Sequence, residues 1–161
     1  MVTKDFLLTI LSEVKDPEVP VLSILDLGIL RDVNFEKDEW SIVITPTYSG
    51  CPAMQTIEAE IHATLKKYQV DTYSISTVLS PAWTTDWITE EGKQKLEAYG
   101  IAPPVDEVDK RVLFSTPTVV PCPLCKSELT KMISQFGSTA CKAHYQCLTC
   151  KEPFDYFKCL R

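Results

Sequence analysis

Four cysteines fall into two C-x-x-C pairs, Cys122-Pro-Leu-Cys125 and Cys147-Leu-Thr-Cys150, separated by twenty-one residues. Two such turns present four thiolates in tetrahedral arrangement, which a structural zinc site requires, and the chain between them is long enough for a β-hairpin. A closed tetrathiolate has no open position for water, so the spacing points to a metal that holds a fold, not one that catalyses. Rubredoxin-like iron or an iron–sulfur cluster uses the same ligands and stays open at this point. A segment of about forty residues builds little core alone, so metal binding would supply its folding energy.

Two further cysteines lie in the same tail. Cys141 either replaces a ligand or joins Cys159 as a small buried apolar residue. His144, close to Cys147, is either a substitute ligand or an ordinary packed histidine, and His62 is read as ordinary. Phe154, Tyr156 and Phe157 are expected to cover the thin core of the ribbon.

Cys51 stands apart, in TPTYSGCP (Thr45 to Pro52), immediately ahead of a helical pattern. Unpaired N–H groups and the dipole at a helix start favour a thiolate, the form that binds metal or carries sulfur. Gly50 permits close backbone approach, and Thr45, Thr47, Tyr48 and Ser49 bring hydroxyls. The alternative is a cysteine that packs at a loop–helix junction, and spacing alone does not choose. No His or Lys lies in the loop, so a Cys-His hydrolytic nucleophile is disfavoured. Asp16, Glu18 and Asp26 sit in a second proline-containing loop, DPEVPVLSILDLG. They either line the same end of the fold or serve as turn and cap residues.

These loops need elements to hold them. Phe6, Ile10, Leu11 and Val14 predict an amphipathic helix over 3–14, stopped by Asp16-Pro17-Glu18-Val19-Pro20. Ile29–Phe35 and Trp40–Thr45 flank the polar Glu36-Lys37-Asp38-Glu39 and predict a hairpin. Met54, Ile57, Ile61, Leu65 and Tyr68 predict a second helix with Pro52 in its first turn, and Val70–Leu79 a third strand. The order implies an α+β class: a small mixed sheet with helices on one face, followed by a C-terminal zinc ribbon. SPAWTTDWIT is expected to enter a short helix ending at Tyr99, where Gly100 is the stop; on such a helix Trp83 and Trp87 would share a face. The domain reading is 1–101 for the α+β domain, 102–118 for a proline-containing charged linker and 119–161 for the ribbon.

With 161 residues and 45% hydrophobic content, the chain can bury a core. No stretch reaches membrane-spanning length and no export signal is read, so a reducing cytoplasm is expected. Residues 1–118 carry 10 Lys+Arg against 19 Asp+Glu and residues 119–161 carry 6 against 3, giving −9 in front and +3 behind. The acidic front argues against nucleic acid as a partner.

Five segments in order, DPEVPVLSILDLGILRDV, TPTYSGCP, LSPAWTTDWIT, FGSTACKA and CKEPFDYFKC, resemble the PaaD-type subunits of phenylacetyl-CoA epoxidase, the multicomponent monooxygenase of aerobic phenylacetate degradation. The front part alone is similar to the wider SufT-like iron–sulfur assembly domain. His144 and the Met54-Gln55-Thr56 helix start depart from that pattern.

The resemblance implies an accessory protein, not itself catalytic, that matures the iron–sulfur cluster of the epoxidase reductase component. Carried over, Cys51 takes the assembly domain's cysteine position, with transient iron or an iron–sulfur cluster as its ligand, and Asp16 and Glu18 its acidic loop. Cys122, Cys125, Cys147 and Cys150 become the ribbon's ligands for structural zinc. The partners implied are the epoxidase components, above all the reductase, and a second copy of the chain where two cysteines must meet. The rival expectations are a stoichiometric structural subunit of the epoxidase, or an enzyme acting on an acyl-CoA thioester, which needs a base near Cys51.

Overall fold

The computed structural model of the chain describes residues 2–105 and 119–158. Most of the expected linker, 106–118, and Cys159 lie outside the described residues. Two compact units form, residues 1–89 and 90–161. The break thus precedes residue 101, where local pattern suggests the boundary, because the segment after Thr89 pairs with the ribbon.

The first unit runs α1 (Lys4–Leu11), β1 (Leu30–Glu36), β2 (Glu39–Ile44), α2 (Ala53–Lys67) and β3 (Tyr73–Thr77), then a single 3-10 turn at Thr85–Trp87. Thr3 caps α1 by accepting the Phe6 N–H at 3.2 Å. The helix ends at Leu11, short of the predicted residue 14, because Glu13 and Val14 donate three residues back, to Ile10 and Leu11, and tighten the last turn. Lys37 and Asp38 both adopt positive φ, the geometry a two-residue hairpin requires. The sheet order is β1-β2-β3, with β1 and β2 antiparallel and β2 and β3 parallel, so α2 is the crossover. Leu7, Ile10 and Leu11 of α1 and Ile57, Ile61 and Leu65 of α2 are buried, as are Val33, Ile42 and Ile44 of the sheet. Each such side chain contributes about 1.5–3 kcal/mol on burial.

That strand arrangement brings three loops to one end. The Thr45 N–H donates to the Ile29 carbonyl and the Val78 N–H to the Ile44 carbonyl, both at 2.9 Å. The Trp83 indole donates to the Leu27 carbonyl at 2.7 Å. Loops 12–29, 45–52 and 78–89 therefore meet where β2 and β3 end and β1 begins. Trp83 and Trp87 do not share a helix face, contrary to expectation: Thr84 caps a 3-10 turn by accepting the Asp86 N–H, and no α-helix forms there. Trp83 is buried, while Trp87 lies under the Arg31 guanidinium, 3.5 Å from the ring centroid.

In the second unit α3 (Glu90–Ala98) stops before Gly100, at φ +88 in the left-handed region. Next come β4 (Ile101–Ala102), β5 (Thr130–Ser134), β6 (Lys142–Cys147) and β7 (Pro153–Phe157), in sheet order β4-β7-β6-β5. Ala102, Val120, Ala143, Tyr145, Phe154 and Tyr156 make the core together with Cys122 and Cys147. This core is small, and two of its members are C-x-x-C cysteines.

Candidate functional site

Each C-x-x-C turn is built alike. The Cys122 N–H donates to the Ser127 carbonyl and the Cys147 N–H to the Glu152 carbonyl, both at 2.9 Å and both five residues on. The residue after each second cysteine, Lys126 or Lys151, takes positive φ and turns the chain back. The hairpin of β6 and β7 and the segment before β5 bring the two turns face to face. The sulfurs of Cys122, Cys125, Cys147 and Cys150 all lie within 4.8 Å of one another. Cys122 and Cys150 are 3.8 Å apart at sulfur, and Cys125 and Cys147 3.5 Å. Four sulfurs at about 2.3 Å from one tetrahedral centre stand about 3.8 Å apart, so the donor set fits a metal ion.

The protons say the same. Burial raises the Cys147 thiol, but the Cys150 and Thr149 N–H groups and the Cys125 and Cys150 sulfurs outweigh it and bring it down to about 6. For Cys150 the Glu152 N–H lowers the thiol, while burial and the Cys147, Cys125 and Cys122 sulfurs raise it, to about 12. Cys147 and Cys150 thus do not both ionise unaided, and a cation between their sulfurs would let them.

Cys141 and His144 stay outside this gathering. Cys141 is buried with its sulfur 3.1 Å from Thr139 Oγ1, and His144 Nδ1 lies 3.3 Å from Asp155 Oδ1. Cys141 lies just before β6, where its carbonyl accepts the Lys158 N–H, and His144 lies on β6 opposite Asp155 of β7.

Cys51 is half-buried at the end of the 45–52 loop. Its N–H donates to the Tyr48 carbonyl and its carbonyl accepts the Met54 N–H. Pro52 is the N-cap of α2 and no side chain caps that helix start. Among the described residues no hydrogen bond or ion pair engages the Cys51 thiol, so no base stands ready to activate it. Gly50 has φ +78 with open space around it. Thr45 is buried and, among the described residues, its hydroxyl has no hydrogen-bond partner. Sequence patterns give no sign of this orphan, because a threonine at a strand end reads the same whether satisfied or not.

Asp16 Oδ1 accepts the Glu18 and Val19 N–H groups at 2.8 Å and closes the DPE turn. Ser23 and Asp26 cap each other reciprocally, side chain to backbone in both directions. Among the described residues the four-cysteine group is the one gathering of three or more metal-ligating side chains; Cys51, Asp16 and Glu18 form none.

The chain thus carries an α+β layer with three loops at one end, followed by a ribbon that gathers four thiols. A family model described as an iron–sulfur cluster assembly protein matches residues 4–73, and one described as the PaaD zinc beta ribbon domain matches 106–158. The chain is 46% identical over 151 residues, 94% of its length and 90% of the other's, to a protein of Escherichia coli (strain K12) whose name describes it as one subunit of a "Putative 1,2-phenylacetyl-CoA epoxidase". The chain belongs to the PaaD family.

Two solved structures resemble the front of the chain. A domain of unknown function, DUF59, from Bacillus anthracis is 26% identical with TM-score 0.54, covering 58% of this chain and 90% of that one. A conserved hypothetical protein from Thermotoga maritima is 26% identical with TM-score 0.51, covering 59% and 94%.

Proposed function

We propose that the chain is a non-catalytic maturation factor of a multicomponent phenylacetyl-CoA epoxidase, acting in the cytoplasm on the iron–sulfur cluster of the reductase component. The observation that carries this reading is the pairing of an assembly-type domain with a relative named as an epoxidase subunit over nearly the whole chain. Cys51 makes transient contact with iron or a cluster as cargo. Its support is a half-buried thiol at an uncapped helix start with no base engaged. Asp16 and Glu18 belong to the same proposed site, Asp16 by fixing the turn that carries Glu18. Zinc is the metal assigned to Cys122, Cys125, Cys147 and Cys150, where it serves the fold.

Cys51→Ser in cells tests this. Reductase cluster content and epoxidase activity are expected to fall while the variant accumulates normally; unchanged values for both would sink the reading.

The relative's name as a subunit favours a second reading, a stoichiometric structural component of the epoxidase. Co-purification at a fixed ratio through gel filtration supports that one, whereas a maturation factor dissociates.

A further inference from the structure

Exposed apolar side chains are unevenly distributed. Of the eleven large ones among the described residues, six lie between residues 124 and 148: Leu124, Leu129, Met132, Ile133, Phe136 and Leu148. Isolated exposed apolar residues are ordinary, but a run of them on one small module marks a surface that another protein covers. Leu124 and Leu148 each sit inside a C-x-x-C turn. The Leu148 N–H donates to the Leu129 carbonyl at 2.7 Å, joining the second turn to the start of β5. Met132 and Ile133 continue along β5, and Phe136 follows it. β5 is also the end strand of its sheet, and among the described residues no strand lies along its outer edge.

Charge and register select the occupant. Lys131 is exposed on β5 with no acidic partner among the described residues. Lys158 Nζ lies 4.3 Å from the centroid of the Phe136 ring. Residues 119–158 carry five lysines against three acidic residues, while residues 1–89 carry six Lys+Arg against thirteen Asp+Glu. A second copy of β5 would bring lysine against lysine, and the register shift between Met132 and Ser134 interrupts the ladder; both discourage self-pairing. An extended segment with apolar residues flanked by carboxylates covers the same side chains and finds Lys131 complementary.

We infer that β5 and its exposed apolar neighbours receive an extended, acidic-flanked apolar segment of a partner subunit, added as a strand along the outer edge of Thr130–Met132. This rests on the reading that the chain serves a multisubunit epoxidase, and names the surface and the partner's chemistry.

The test uses the full metal-loaded chain and the remaining epoxidase subunits, co-expressed and purified. Binding is measured for wild type, Ile133→Asp and Lys131→Glu, each first shown to hold the same zinc per chain. Wild type is expected to bind with slowed amide exchange at 130–132. Ile133→Asp should weaken binding by about tenfold or more and Lys131→Glu by about threefold or more. Equal binding by wild type and both ribbon variants overturns the docking surface and leaves the maturation reading standing. Absence of any binding by wild type overturns the docking surface, while the maturation reading is judged separately by reductase cluster content in cells. A wild-type dimer that Ile133→Asp dissociates without changing partner binding assigns the edge to a second copy and overturns the inference.

Discussion

The sulfurs of Cys125 and Cys147 stand 3.5 Å apart although twenty-one residues separate them in the chain. No disulfide joins them, and the core around them is thin, so the contact needs something at the centre of the four sulfurs to hold it. Metal removal with a chelator, or Cys125→Ser, is expected to abolish amide protection in β6 and β7 while leaving α2 protected. Protection of β6 in metal-free protein would show that packing alone suffices.

Gly28 lies at φ +67 against Trp87, and a Cβ added there would stand 2.7 Å from both the Cβ and the carbonyl oxygen of Trp87. Gly28→Ala is therefore expected to destabilise the first unit by about 1–3 kcal/mol, through the left-handed backbone and the contact together. A urea midpoint unchanged from wild type would contradict this.

Thr45 buries a hydroxyl without a partner among the described residues. Valine has nearly the same shape and no polar atom to desolvate, so Thr45→Val is expected to stabilise the first unit by about 1 kcal/mol. A loss of stability in urea unfolding would mean that the hydroxyl is satisfied in solution.

Ile61 is fully buried on α2 whereas Cys51, at the start of the same helix, is half-exposed. Ile61→Ala is expected to cost about 2–5 kcal/mol by leaving a cavity. Cys51→Ser should stay within about 0.5 kcal/mol of wild type. Matched denaturation curves for the pair thus separate loss of fold from loss of a reactive thiol, and a large destabilisation by Cys51→Ser would make it a packing residue.

Much of the first unit was legible because its signals are local. The Ile57, Ile61 and Leu65 spacing marks the buried stripe of α2, and a polar four-residue break marks the hairpin before β2. The C-x-x-C pairs were legible for the same reason, since four residues suffice to specify each turn. What escaped depends on distant partners. Ile101 and Ala102 pair with Asp155 and Tyr156, more than fifty residues on, and no local pattern announces that. SPAWTTDWIT reads as the entry to a helix, but Trp83 is drawn to the Leu27 carbonyl and Trp87 to Gly28 and Arg31, and the helix begins only at Glu90. Asp16 and Asp26 could be read either as lining the same end of the fold or as turn and cap residues, and only their backbone partners reveal the turn role each plays. The exposure of Leu129, Met132 and Ile133 on the ribbon was invisible because an apolar residue in a strand pattern is read as core.

The central claim is that Cys51 handles iron or a cluster while the four ribbon cysteines hold zinc. The most direct measurement is zinc, iron and acid-labile sulfide per chain in wild type and Cys51→Ser, purified anaerobically from cells that also make the iron–sulfur machinery. The account predicts about one zinc in both proteins, with iron and sulfide in the wild type alone. Zinc alone in both, or equal iron and sulfide in both, would contradict it.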